Sequence, residues 1–153
     1  MKYDRDWIAK RIPHQGSMCL LDHVASFDEE RLVCIATSHA HADNPLRAHG
    51  RLGAATGIEY AAQAMAVHGA LLAQGSEGRP RAGFLASVRS VELHTERLDD
   101  VPGTLRIEAV CIHSEGNSIL YQFTVHSDEG GQLLLEGRAA VILDAEGLAP
   151  GGK

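Results

Sequence analysis

The chain has 153 residues and a mass of 16.4 kDa, with 44% hydrophobic and 22% charged residues and a formal net charge of −6 beside nine histidines. That length suits one domain and is short for two, and the globular proportions exclude a disordered, collagen-like or coiled-coil chain. An acidic total with 5% aromatic residues argues against a nucleic-acid module, which works by a basic field and base stacking. Cys19, Cys34 and Cys111 are odd in number, far apart and without a C-x-x-C pair, so free thiols in a reducing compartment are expected. Charges at Asp4, Arg5, Asp6, Lys10 and Arg11 leave no apolar core for a signal peptide, and a cytoplasmic location is the expectation. The long apolar stretch Leu52 to Ala73 is broken by Glu59, Gln63 and His68, which reads as a buried helix and not a membrane span.

In chain order, Asp4 to Ile12 reads as a short helix with Asp4 as its cap and Pro13 as its stop. Strands are expected at Met18 to Phe27 and Arg31 to Ser38, joined by the polar turn Asp28-Glu29-Glu30. Ala40 to Gly53 reads as a loop, and Ala54 to Gln74 as the long helix, ended by Gly75-Ser76-Glu77-Gly78 and Pro80. Four more strands follow: Ala82 to His94, Thr104 to His113, Ser118 to Ser127 and Gln132 to Leu143. The pattern implies an α+β fold, about six antiparallel strands packed on one helix, with residues 1–145 as a single domain and 146–153 as a flexible tail.

Thr56, Glu59 and Gln63, spaced i, i+3 and i+7, form a polar stripe on an otherwise apolar helix. A carboxyl partly removed from water at Glu59 is a candidate proton donor; the alternative is that the stripe is the helix's exposed edge. His39, His41 and Asp43 form an H-x-H-x-D run that would put metal ligands on one face of a strand, but it falls in loop sequence and nothing completes the set, so no metal site is expected. His23, His68, His94, His113 and His126 read as packing or surface residues, which leaves His14 and His49 as candidate bases. Arg79, Arg81 and Arg89 form a local basic cluster, either a solvated strand entrance or a docking patch for an acidic partner or phosphate.

Three segments match a known family in its order. Ile12-Pro13-His14-Gln15-Gly16-Ser17-Met18-Cys19-Leu20-Leu21-Asp22-His23-Val24 resembles the opening L-P-H-R-x-P-x-L-L-x-D-R-V of the β-hydroxyacyl-acyl carrier protein dehydratases. Glu59-Tyr60-Ala61-Ala62-Gln63-Ala64 resembles their helix segment E-A-M-A-Q, and Gly83 to Val88 followed by Val101-Pro102-Gly103 is similar to their F-A-G-I and V-x-P-G-D stretch. The Pro13-His14 start, Gly50-Arg51-Leu52 and Gly57 to Gln63 look like the branch encoded with aryl-polyene-type lipid pigment synthases. The family's G-H-F-P-G-x-P loop corresponds here to Arg47-Ala48-His49-Gly50-Arg51-Leu52-Gly53, shorter and without prolines.

The resemblance implies a hotdog fold, a homodimer or hotdog heterodimer, and dehydration of a 3-hydroxyacyl thioester on acyl carrier protein to the trans-2-enoyl thioester. His49 or His14 would be the base and Glu59 the acid for the departing hydroxide, with backbone N–H groups around Gly53 to Gly57 polarising the thioester carbonyl. Gly57, Gln63, Gly83, Phe84 and Leu85 would bind substrate, and Arg79, Arg81 and Arg89 would meet the carrier protein. No metal or redox cofactor is expected, since phosphopantetheine carries the substrate. Hydrolysis of an acyl thioester by the helix carboxylate, and a non-catalytic hotdog subunit that binds acyl chains, are the alternatives.

Overall fold

A computed structural model describes residues 2–12, 18–74 and 83–143, with Gly83, Phe84 and Leu143 described by their backbone alone. His14, Arg79, Arg81 and the expected tail 146–153 lie outside the described residues. Helix α1 (Arg5–Ala9) begins where the sequence places its cap, the Asp4 carboxylate accepting the Trp7 N–H at 3.0 Å. Strands β1 (His23–Phe27) and β2 (Arg31–Ala36) follow, then helix α2 (Gly57–Ala73), then β3 (Gly83–Leu93), β4 (Leu105–Glu115), β5 (Ser118–Ser127) and β6 (Leu133–Leu143). All six strands join one antiparallel sheet in the order β1-β2-β4-β5-β6-β3.

The core lies between the sheet and α2. Leu32, Cys34 and Ala36 of β2, Leu105, Ile107 and Ala109 of β4, and Tyr121, Phe123 and Val125 of β5 alternate inward and are buried together with Tyr60, Ala61, Ala64, Met65, Val67 and Leu71 of α2. Small residues let the helix sit close. A Cβ added at Gly57 would lie 2.6 Å from Leu135 Cδ2, and one at Gly137 would lie 2.8 Å from the Phe123 ring. This is the hotdog arrangement the sequence implies.

Two element starts differ from the sequence reading by more than one residue. The first strand begins at His23 rather than Met18, because the Leu20 N–H and the Met18 carbonyl bond to the Gln63 side chain instead of a neighbouring strand. Consecutive burial of Leu20 and Leu21 also breaks the alternation a strand requires. The long helix begins at Gly57, after a single 3₁₀ turn over Ala54–Thr56.

Candidate functional site

Glu59 lies in the first turn of α2, partly exposed. One turn later Gln63 has no exposed surface. Its Oε1 accepts the Leu20 N–H at 3.0 Å, while its Nε2 donates to the Met18 carbonyl at 2.7 Å and to Glu59 Oε2 at 3.2 Å. The backbone partners fix which end of the amide is nitrogen, since Leu20 can only donate and Met18 can only accept. Both Nε2 hydrogens are thereby committed, one of them to the Glu59 carboxylate. The polar stripe inferred from sequence is thus no exposed edge: Gln63 is interior, and Thr56 turns back to donate to the Gly53 carbonyl at 2.6 Å.

His49 is exposed and sits at the tip of a tight turn. Ala48 and Arg51 exchange both backbone hydrogen bonds, at 2.9 and 3.1 Å, across His49 and Gly50, which have φ values of 55° and 78°. Two consecutive left-handed residues between a bonded pair are the pattern of a type I′ turn, and among non-glycine residues histidine is one that tolerates this region. No hydrogen bond or ion pair joins His49 to Glu59 among the described residues of one chain. The loop carrying His49 is tied to α2 by a buried polar network. The Tyr60 hydroxyl lies 2.8 Å from Ser38 Oγ and accepts from Asn44 Nδ2 at 3.1 Å, and Ser38 Oγ donates to the Leu20 carbonyl at 2.8 Å. Sequence reasoning missed Asn44 because it lies in the stretch without period, Ala40 to Gly53.

The N–H groups expected to polarise a carbonyl are largely occupied. That of Ala54 bonds to the Glu96 carbonyl, that of Thr56 to Gly53, and that of Gly57 to the preceding 3₁₀ turn. Gly57 is buried against Leu135, so its lack of a side chain serves helix–sheet contact. On β3, the Leu85 side chain is exposed, and Arg89 stands opposite Arg138 of β6.

The remaining histidines separate clearly. His39 is buried, its Nε2 donating to the Val101 carbonyl at 3.0 Å, while His41 and Asp43 are exposed, so the H-x-H-x-D run shares no face. His68, also without exposed surface, places Nε2 2.9 Å from the Asp28 carbonyl and Nδ1 2.8 Å from the Tyr121 hydroxyl. Among the described residues, the side chains close enough to hold a metal ion are Glu92, His94 and Glu136, on and beside β3 and β6 rather than at Glu59. The three cysteines are free thiols, and burial pushes that of Cys34 up to about 12. No helix of the described residues is long and apolar enough to cross a membrane.

The family model described as ApeP-like, ApeP dehydratase, matches residues 7–147. Among solved structures, the dehydratase heterocomplex ApeI:P from Xenorhabdus doucetiae is similar over 91% of both chains, with 19% identity and a TM-score of 0.79. A thioesterase, HI1161 from Haemophilus influenzae, is similar over 84% of this chain and 80% of its own, with 14% identity and a TM-score of 0.60. The PaaI protein of the E. coli phenylacetic acid degradation operon is similar over 78% and 80%, with 16% identity and a TM-score of 0.56. No curated protein matches by sequence.

Proposed function

The chain belongs to the ApeP-like dehydratase family, and from that premise we propose that it removes water from a 3-hydroxyacyl thioester carried on acyl carrier protein, giving the trans-2-enoyl thioester for polyene-type synthesis. The observation that carries this reading is the Glu59 carboxylate held by the buried Gln63 amide. Elimination needs a base for the proton next to the thioester carbonyl and an acid for the hydroxide leaving the neighbouring carbon. Glu59 is proposed as the acid, because it is partly open to solvent and oriented by a fixed donor. A histidine is proposed as the base, His49 at the tip of its turn or His14. Substrate binding is proposed along the β3 backbone at Gly83, Phe84 and Leu85, with Gly57 near the helix start. Arg89, with Arg79 and Arg81, is proposed to meet the acidic carrier protein. The reaction as written needs no cofactor beyond the phosphopantetheine of the carrier.

A second hotdog chain is proposed to complete the site. Support comes from β3, which ends the sheet with one edge unpaired among the described residues and with Leu85 and Leu93 exposed, and from the heterocomplex formed by the similar ApeI:P structure. A cytoplasmic setting follows from the same reading, since carrier-bound intermediates are made there.

The test is to incubate the protein with 3-hydroxyacyl carrier protein and follow the acyl species by intact mass. Loss of one water supports dehydration. Release of free holo carrier would instead support hydrolysis, and an unchanged mass, alone and with a hotdog partner, would support a binding subunit.

A further inference from the structure

The turn that presents His49 is gripped by a residue remote in sequence. Asp99, in the connection between β3 and β4, has a side chain only 7% exposed. Its Oδ1 accepts the Leu52 N–H at 3.0 Å and the Arg97 Nε–H at 2.9 Å, and Arg97 closes a two-pronged bond on Oδ2. Arg47 approaches the same Oδ2 at 3.8 Å and donates to the Gly50 carbonyl at 3.2 Å. One carboxylate therefore reaches the chain directly at Arg47 and Leu52, on either side of His49, and through Arg47 at Gly50. The Leu98 N–H to Leu52 carbonyl bond at 2.8 Å and the Ala54 N–H to Glu96 carbonyl bond at 3.0 Å run alongside it. The Arg97 fork holds the Asp99 carboxyl well below the usual carboxylate range, so the grip is ionic at neutral pH.

We propose that Asp99 is a positioning residue, which holds the Arg47 to Leu52 turn in its left-handed geometry and so places the His49 imidazole for proton abstraction. The inference rests on the dehydratase reading and on His49 as the base. Left-handed φ at a residue with a side chain costs free energy, which the Ala48–Arg51 pair offsets locally and the Asp99 contacts offset from outside the turn. Among the described residues the carboxylate contacts the turn, its own backbone N–H and two arginines, so its removal should leave the β5 and β6 ladders and the α2 core intact.

The experiment compares Asp99→Asn with wild type in two readouts. Backbone amide exchange over residues 47–52 should rise by about tenfold or more, while that of β5 and β6 stays within about twofold. Turnover of 3-hydroxyacyl carrier protein should fall about ten- to a hundredfold with KM within about twofold, and this loss should vanish in a His49→Ala background, because the two residues act as one unit. Arg47→Ala, which cuts the Gly50 tether but spares the Leu52 bond, should show a smaller change of the same kind and guards against a misfolded Asp99 variant. Unchanged exchange over residues 47–52 overturns the proposal, as does an Asp99→Asn loss that persists in full when His49 is alanine, or a fully active His49→Ala enzyme. If wild type dehydrates nothing, the functional reading fails, while the exchange comparison still decides whether Asp99 holds the turn.

Discussion

Gln63 and His68 sit on one helix, five residues apart, and both are sealed from solvent. Each satisfies its buried polar atoms through bonds that include a backbone carbonyl in the region of β1, Met18 for Gln63 and Asp28 for His68. The difference lies in what remains. Gln63 has a second N–H and passes it to a partly exposed carboxylate, whereas both nitrogens of His68 end on interior partners, the Asp28 carbonyl and the Tyr121 hydroxyl. A buried polar side chain serves chemistry when it hands its last hydrogen bond to a group that substrate can reach. Where all its bonds close inside the core, it serves the fold.

The contrast breaks most decisively at Glu59. Glu59→Gln keeps the size of the side chain and removes the acid, so dehydration should fall by about a hundred- to ten-thousandfold with an unchanged thermal midpoint. Steady-state turnover of 3-hydroxyacyl carrier protein measures it, and full activity would remove Glu59 from the mechanism. Gln63→Leu comes next. It strands the Leu20 N–H and the Met18 carbonyl, at a cost of about 1–3 kcal/mol in urea unfolding, and releases the Glu59 carboxylate, with at least about a tenfold loss of turnover. A variant that loses stability but keeps its turnover would place Gln63 with His68.

The spacing of Glu59 and Gln63 made their pairing legible from sequence, since residues four apart on a helix are neighbours. What clamps Gln63 was hidden: Leu20 and Met18 lie 43 and 45 residues away, and only the tertiary fold brings them in. The six strands were readable because β-branched and aliphatic residues alternate between turn signals, as in Leu105, Ile107 and Ala109 of β4. The segment before β1 was misjudged because Leu20 and Leu21 are apolar enough for a strand, while their backbone is claimed by a side chain. His68 was read as surface or packing, and its full burial depends on Tyr121 and Asp28, both of which are remote in sequence. Asp99 carried no signal at all, because a carboxylate in a polar turn is ordinary until its partners at Arg47 and Leu52 are seen.

His68 sharpens the other half of the comparison. Replacing it with leucine leaves the Tyr121 hydroxyl and the Asp28 carbonyl without their imidazole partner, which should cost about 1–3 kcal/mol in urea unfolding. Turnover should stay within about twofold of wild type at a temperature where both are folded. A loss of turnover comparable to that of Gln63→Leu would show that this face of the helix communicates with the site.

The smallest expected effect is a dependence on pH. A carbonyl oxygen can only accept, so the Asp28 contact assigns the His68 proton to Nε2 and leaves Nδ1 to accept from the Tyr121 hydroxyl. Burial holds the imidazole below its ordinary value of 6.5, outweighing the opposing pull of the Asp28 carbonyl. A proton added at Nδ1 would face a hydroxyl that is already donating to it, in a site closed to water. Above pH 6.5 the folded and unfolded states are both neutral at this residue, and its contribution to stability is at its full value. As pH falls through 6.5 the unfolded chain takes up a proton that the folded chain refuses, so stability declines by no more than about 1.4 kcal/mol per pH unit. Urea midpoints measured from pH 7.5 to 5.5 should therefore fall more steeply for wild type than for His68→Gln, which can still donate and accept but does not titrate. Parallel curves would mean that His68 takes up its proton as readily in the folded protein as in the unfolded chain, and that the helix face opposite Glu59 is less closed than its contacts imply.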